Sequence, residues 1–313
     1  ALGLTPGIAV ATGAFDAHLG AVGAGIRPGR LVKILGTSTC DMMVWPADRK
    51  LADIPGVCGI VKGSILPDAY GIEAGQSAVG DLFLWLVRHL VPDAYGPTLD
   101  DRFERLQREA ARQAPGQHGL LALDWNNGNR SILTDVRLSG LLIGQTLQST
   151  AADIYRALIE ATAFGALTII RRIESYRVPV REIVACGGLA VKNPLLMQIY
   201  ADVTGRPIAV SRSDQTCALG AAIVGAVAAG RDAGGFATVA EAQAAVCGQR
   251  ATVYRPRPAA RAVYAKLAAL YTTLHDAFGT PNQAVRLDSV MKELIAIRET
   301  QRRRAQSAEE LKA

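Results

Sequence analysis

A chain of 313 residues, half of them hydrophobic and one fifth charged, can bury one large core or two smaller ones, which excludes disorder of the whole chain. The formal net charge of +6 rests partly on Arg298 and Arg302 to Arg304. That run has no interleaved aromatics, so it reads as a solvated helix face rather than a nucleic-acid surface, and leaves a polyanionic small ligand compatible.

Cys40, Cys58, Cys186, Cys217 and Cys247 are well separated and never form Cys-x-x-Cys, which points to a reducing cytoplasm and away from a zinc site or a disulfide framework. The four histidines lack a His-Glu-x-x-His neighbourhood, so no protein-held metal is expected. The first residues of the chain show no basic flank followed by an apolar run and small-residue cleavage site, and no apolar stretch reaches spanning length, so export and membrane insertion are not expected.

In chain order, residues 8–12 read as an apolar strand with nothing before it to shelter it. Asp16 follows in Gly13-Ala14-Phe15-Asp16-Ala17-His18, at a junction where a carboxylate either meets a substrate hydroxyl or caps a helix. His18 reads as a packing or helix-end residue, and residues 19–25, mostly small, as a tightly packed helix. Residues 31–35 and 40–45 read as strands around Gly36-Thr37-Ser38-Thr39, a turn that can cradle phosphates or simply close a hairpin. The usual Gly-x-x-x-x-Gly-Lys-[Ser/Thr] loop is absent.

Residues 59–67 are a further expected strand. After them, 71–77 read as a connection that offers Glu73 and Gln76 to a sugar or to a helix cap. A helix over 78–90 is expected to bury Leu82 and Trp85, and an amphipathic helix over 99–113 to turn Phe103, Leu106 and Ala110 inward. Residues 120–124 read as a strand, 125–130 as a turn-dense loop carrying one aromatic and one guanidinium, or as a plain surface loop. Thr150 and Asp153 form a capping-box-like start to a helix whose Ile154, Leu158, Ala161, Gly165 and Thr168 face a core.

Residues 181–186 read as a buried strand that runs into Gly187-Gly188, a pair that lets main chain approach a ligand closely. A helix start after it would offer N–H groups to an anion. Asn193 is the expected N-cap with Pro194 at the first helical position, and Gly205 the C-cap. A strand over 207–211 precedes a helix over 217–229 that is apolar all round and so expected to be buried. Residues 239–246, 259–278 and 287–311 read as helices, the last expected to fray or pack on a partner.

Taken together, these stretches resemble the C-terminal part of the FGGY family of carbohydrate kinases. The segment from Gly13 to Gly23 is similar to the family's catalytic segment, and Leu35-Gly36-Thr37-Ser38-Thr39 to its second phosphate-binding hairpin. Gly140-x-Leu142-x-Gly144 followed by Asp153 to Glu160 is similar to its C-terminal signature, with Gln145 where an aliphatic residue is usual. Gly187 to Pro194 resembles the adenosine segment, and Ala218 to Ala222 the closing helix between domains. Four stretches, 13–18, 73–81, 122–130 and 213–220, make the likeness strongest to members that act on L-ribulose.

The resemblance implies an α/β fold of actin/hexokinase-like (ribonuclease H-like) type, a mixed sheet flanked by helices. It divides the chain into residues 1–30, ending a first domain and carrying the catalytic segment, a nucleotide-binding domain over 31–280, and a helical tail over 281–313. It implies ATP-dependent phosphorylation of a ketopentose in L-arabinose catabolism, with ATP and Mg²⁺ as cofactors. Asp16 becomes the general base, and Phe15, Asp16 and Glu73 approach the sugar. Gly36, Thr37, Ser38, Gly80, Gly187, Gly188 and Asn193 line the nucleotide, and the adenine contact of Lys192 stays open.

A full-length relative begins with an Asp-x-Gly-Thr turn that is not found here, so the chain is expected to lack its N-terminal kinase domain and to be inactive alone. A kinase for D-xylulose or ribitol, and a non-catalytic nucleotide-binding module of actin fold, are the alternatives. Homo-oligomerisation is left open.

Overall fold

A computed structural model describes residues 3, 6–281 and 290–310. In chain order they form α1 (Asp16–Gly23), β1 (Arg30–Leu35), β2 (Thr39–Pro46), β3 (Gly59–Lys62), β4 (Ala69–Ala74), α2 (Gly80–His89), α3 (Leu99–Ala111), β5 (Leu121–Leu123), β6 (Leu141–Ile143) and α4 (Ala151–Ser175). They continue with β7 (Glu182–Cys186), α5 (Gly188–Lys192), α6 (Pro194–Thr204), β8 (Ile208–Ser211), α7 (Thr216–Ala229), α8 (Val239–Val246), β9 (Gln249–Tyr254), α9 (Pro258–Gly279) and α10 (Val290–Glu310). The chain divides into two compact units, the first comprising Ala1–Gly75, Arg172–Lys192 and Ile208–Val253, the second the remaining segments.

The first unit holds a seven-stranded sheet in the order β3-β4-β2-β1-β7-β8-β9. Pairing is antiparallel from β3 through β1 and parallel for β1 with β7 and β7 with β8, giving the expected mixed sheet. Val32, Met42, Val44 and Val184 from the strands meet Ala21 and Val22 of α1 and Ile223 of α7 in one core. Two glycines let α1 and α7 touch main chain to main chain. A Cβ on Gly23 would lie 2.0 Å from the Thr216 carbonyl oxygen, and one on Gly220 only 1.9 Å from that of Leu19.

Two expectations fail in this unit. Residues 8–12 form no strand, and Val10 is 86% exposed. An apolar run becomes a strand only where a neighbour takes up its backbone hydrogen bonds, and none of the described residues does so here. The helix expected to be buried all round, α7, buries only Thr216, Gly220 and Ile223, leaving Ala218, Ala221 and Ala222 exposed. Its Gly220 side packs on α1, and among the described residues of this unit Ala218, Ala221 and Ala222 lie on a side left exposed.

In the second unit β5 and β6 pair antiparallel beside helices α2, α3, α6, α9, α10 and most of α4. Thr150 Oγ1 accepts from the Asp153 N–H and the Asp153 carboxylate from the Thr150 N–H, the capping box read from sequence. Two turns on, Glu160 is buried and accepts from Arg156 and from the Tyr264 hydroxyl, both at 2.9 Å.

The second unit also brings corrections. The stripe of α2 is Leu82, Phe83, Leu86 and Val87, and Trp85 falls beside it, 40% exposed. The turn-dense loop over 125–130 exposes Asn126 and Asn127 and is otherwise turned inward. Trp125 is 2% exposed with its ring edge-on to His275 at 5.3 Å, and the Asn129 side chain accepts from the Leu133 N–H. Of the C-terminal helix expected over 287–311, residues 287–289 and 311 lie outside the described residues. The described part, α10, buries Leu294 and Gln301 and packs on α9.

Candidate active site

The sequence-predicted site residues fall in both units. Phe15, Asp16, Gly36, Thr37, Ser38, Glu73, Gly187 and Gly188 belong to the first, Gly80 and Asn193 to the second.

In the first unit the β1–β2 hairpin and the β7 turn end side by side, because β1 and β7 run parallel with Ile34 opposite Cys186. Each strand then turns sharply. Gly36 donates its N–H to the Ser38 carbonyl at 3.0 Å and leaves Gly36 and Thr37 exposed. Gly187 has φ +93°, and a Cβ there would lie 2.3 Å from the Leu35 carbonyl oxygen, so only glycine fits against the hairpin. Beside it, a Cβ on Gly188 would meet nothing within 4 Å, so its main chain faces open space. Phosphate-sized groups can approach main chain at both turns, and these residues fit a nucleotide's phosphates.

One element differs from the reading of sequence. Gly188–Lys192 already forms the short helix α5, and Asn193 caps the next one, α6. The Asn193 side chain accepts from the Leu196 N–H at 3.0 Å and donates to the Tyr155 hydroxyl at 2.9 Å, so both ends of its buried amide serve the protein. Gly205 ends α6 in the left-handed region, as expected. In the second unit Gly80 opens α2 without a side-chain cap.

Beneath the hairpin lies a group the sequence reading did not single out. Lys33 on β1 faces Asp41 on β2 across the ladder, Nζ to Oδ1 at 2.8 Å, with side chains 3% and 2% exposed. Two charges so deeply buried persist only when paired, and this pair ties the two hairpin strands together just below the exposed turn.

Asp16 is the first residue of α1, with Phe15 as N-cap, so it is not itself the cap. Its Oδ1 accepts from the Ala17 N–H at 2.7 Å. The carboxylate is exposed, and its place in the first turn suits the positive end of the helix dipole. Burial pushes the neighbouring Cys217 thiol up, and the Asp16 charge pushes it further the same way.

Glu73 sits inside a strand rather than on a connection, paired with Met42 on β2 and Gly59 on β3. Its carboxylate meets His18 Nε2 at 3.2 Å, and the Nδ1 of the same ring meets the Ser64 carbonyl oxygen at 3.0 Å. Phe15, 75% exposed, stands edge-on to His18 with ring centroids 5.5 Å apart. Phe15 and His18 line a cleft of about 880 Å³ in this unit, with Ser64, Ile65, Val224 and Val227 among its other walls. The unit thus offers a carboxylate at a helix start and a second carboxylate held by an imidazole, while the cleft itself is lined by neither Asp16 nor Glu73. Among the described residues no three His, Cys, Asp or Glu side chains are grouped to hold a metal ion.

A mixed sheet with crossing helices and glycine turns at its strand ends is the C-terminal half of an actin/hexokinase-like phosphotransferase fold. The xylulose kinase from Rhodospirillum rubrum superposes with a TM-score of 0.73 at 26% identity, over 88% of this chain and 52% of that one. The sequence profile of the FGGY family of carbohydrate kinases, C-terminal domain, matches residues 31–229, and the chain belongs to that family. It is 47% identical over 310 residues to a ribulokinase of Halalkalibacterium halodurans, across 96% of this chain and 53% of that protein. A ribulokinase of Mycolicibacterium smegmatis is 47% identical over 303 residues, across 95% of this chain and 52% of the relative. The chain thus spans about half the length of the curated relatives it matches.

Proposed function

We propose that this chain is the catalytic-segment and nucleotide-binding part of a kinase that transfers the terminal phosphoryl group of ATP to a ketopentose, converting L-ribulose to L-ribulose 5-phosphate. The observation that carries this reading is the 47% identity to a ribulokinase, spread over 96% of the chain rather than confined to a nucleotide motif. In this reading residues 1–30 end a preceding domain and bring in the catalytic segment, and residues 31–280 bind nucleotide.

Phosphoryl transfer asks a protein for positioning and charge neutralisation more than for covalent help. Asp16, exposed at the start of α1, orients the sugar's terminal hydroxyl and accepts its proton as the oxygen attacks phosphorus. Glu73 and Phe15 hold the ketopentose. The 36–38 turn and Gly187-Gly188 present main chain to the ATP phosphates. Mg²⁺ bound with ATP supplies neutralisation of phosphate charge.

The test is ATP-dependent phosphorylation by the chain completed with the N-terminal half its relatives carry, offered L-ribulose, D-xylulose and ribitol in parallel. Preferred turnover of L-ribulose is expected. Turnover of another pentulose alone would move the substrate, and nucleotide binding without transfer to any sugar would refute the kinase reading.

A further inference from the structure

We propose that His18 is a positioning residue for the sugar, an imidazole that fixes the two side chains assigned above to the ketopentose, Glu73 and Phe15. The proposal rests on that assignment.

His18 is 8% exposed, on the first turn of α1 and two residues beyond Asp16. Its ring is held from two sides. A carbonyl oxygen can only accept, so the 3.0 Å contact to the Ser64 oxygen makes Nδ1 a donor. That bond anchors the ring to the turn between β3 and β4 and fixes its plane. Nε2 is then aimed at Glu73 Oε2, 3.2 Å away. Both ring nitrogens carry N–H groups only in the imidazolium form, and in that form Nε2 donates to the carboxylate as an ion pair.

Glu73 is about one third exposed, at 32% of its side-chain surface, and without His18 its carboxylate could sweep several rotamers into the open. Phe15, which precedes Asp16, rests its ring against the same imidazole at 85° between planes. One buried ring thereby meets both a carboxylate on β4 and the aromatic ring that directly precedes the proposed base in the chain. The remaining charged group on its own helix is Asp16. Preorganisation of this kind lowers the cost of ordering side chains when substrate binds.

Two conservative variants separate the two nitrogens. The amide nitrogen of Asn stands in for Nδ1 and that of Gln for Nε2. In the completed kinase, His18→Asn keeps the anchor to Ser64 and loses the donor to Glu73, whereas His18→Gln keeps the donor. The expected result is a KM for the ketopentose raised about tenfold or more in His18→Asn, within about threefold of the parent in His18→Gln, and an unchanged KM for ATP in both. The unchanged ATP value also shows that each variant is folded.

Glu73→Gln serves as the reference and is expected to raise the sugar KM at least as much as His18→Asn. If Glu73→Gln raises it and His18→Asn does not, or if Asn and Gln at 18 behave alike, the positioning role of His18 is overturned while the function stands. If Glu73→Gln itself leaves the sugar KM unchanged, the assignment of Glu73 falls and the role of His18 with it.

Discussion

Gly220 sits where α7 crosses α1, and replacing it with alanine is the sharpest test of that packing. The added Cβ would lie 1.9 Å from the Leu19 carbonyl oxygen and 2.6 Å from its carbon, whereas real Cβ atoms stay beyond 3.0 Å. The obstructing atoms are main chain, so no rotamer change relieves the clash, and α1 must retreat by about 1.1 Å, the difference between 3.0 Å and 1.9 Å. Overpacking of this kind costs about 1–3 kcal/mol, offset by about 0.5–1 kcal/mol that alanine gains over glycine inside a helix. The net loss, up to about 2.5 kcal/mol, corresponds to a fall of up to about 10 °C in Tm.

Gly225 on the same helix is the internal control, because a Cβ there meets nothing within 4 Å. Gly225→Ala is expected to leave Tm unchanged or to raise it by up to about 4 °C. Calorimetry on the two variants reads the contrast directly. Catalysis adds a second readout, since Asp16 begins the helix that must move, and a displacement of about 1 Å can cost about a hundredfold in rate. If Gly220→Ala melts at or above the parent temperature, as Gly225→Ala does, the close contact of α1 with α7 is refuted.

Two further outcomes follow from buried charge. Lys33→Met strands Asp41 without its partner and should destabilise by about 3–5 kcal/mol, while the double variant Lys33→Met with Asp41→Leu should recover most of that loss in a urea titration. No recovery would mean that the pair does more than neutralise itself. Burial pushes the Asp124 carboxyl up, partly offset by bonds from Gln76 and Tyr271, so the native state holds this proton more tightly than the unfolded chain. Its contribution is therefore fully present below the ordinary carboxylate range and lost as pH rises through the raised native value. Urea midpoints of the parent minus those of Asp124→Asn should fall as pH increases from about 4 to about 8, and a flat or rising difference would contradict the burial effect.

Local chemistry made much of this architecture legible. Asn193, Pro194 and Gly205 bracket α6 as read, because a cap, a first-position proline and a left-handed glycine are each set by neighbouring backbone. The strands up to the 36–38 turn were legible for the same reason. What their alternation hides is the partner across the ladder. A hairpin centred on Thr37 necessarily sets residue 33 opposite 41, and that symmetry could have exposed the Lys33–Asp41 pair.

The sequence marks His18 only as a packing or helix-end residue, because its two partners, Ser64 and Glu73, lie 46 and 55 positions away. Nothing local signals them. Residues 8–12 and α7 misled for the opposite reason. Apolar composition shows that a surface can be buried, and only the tertiary structure shows whether anything covers it.

The most direct test of the central claim is the rate of L-ribulose phosphorylation by the completed kinase, measured beside Asp16→Asn with ADP affinity determined for both. Turnover in the parent, a loss of at least about a hundredfold in kcat for Asp16→Asn and unchanged ADP affinity are the predicted result. A variant that phosphorylates L-ribulose at the parent rate would remove Asp16 from the chemistry and contradict the account.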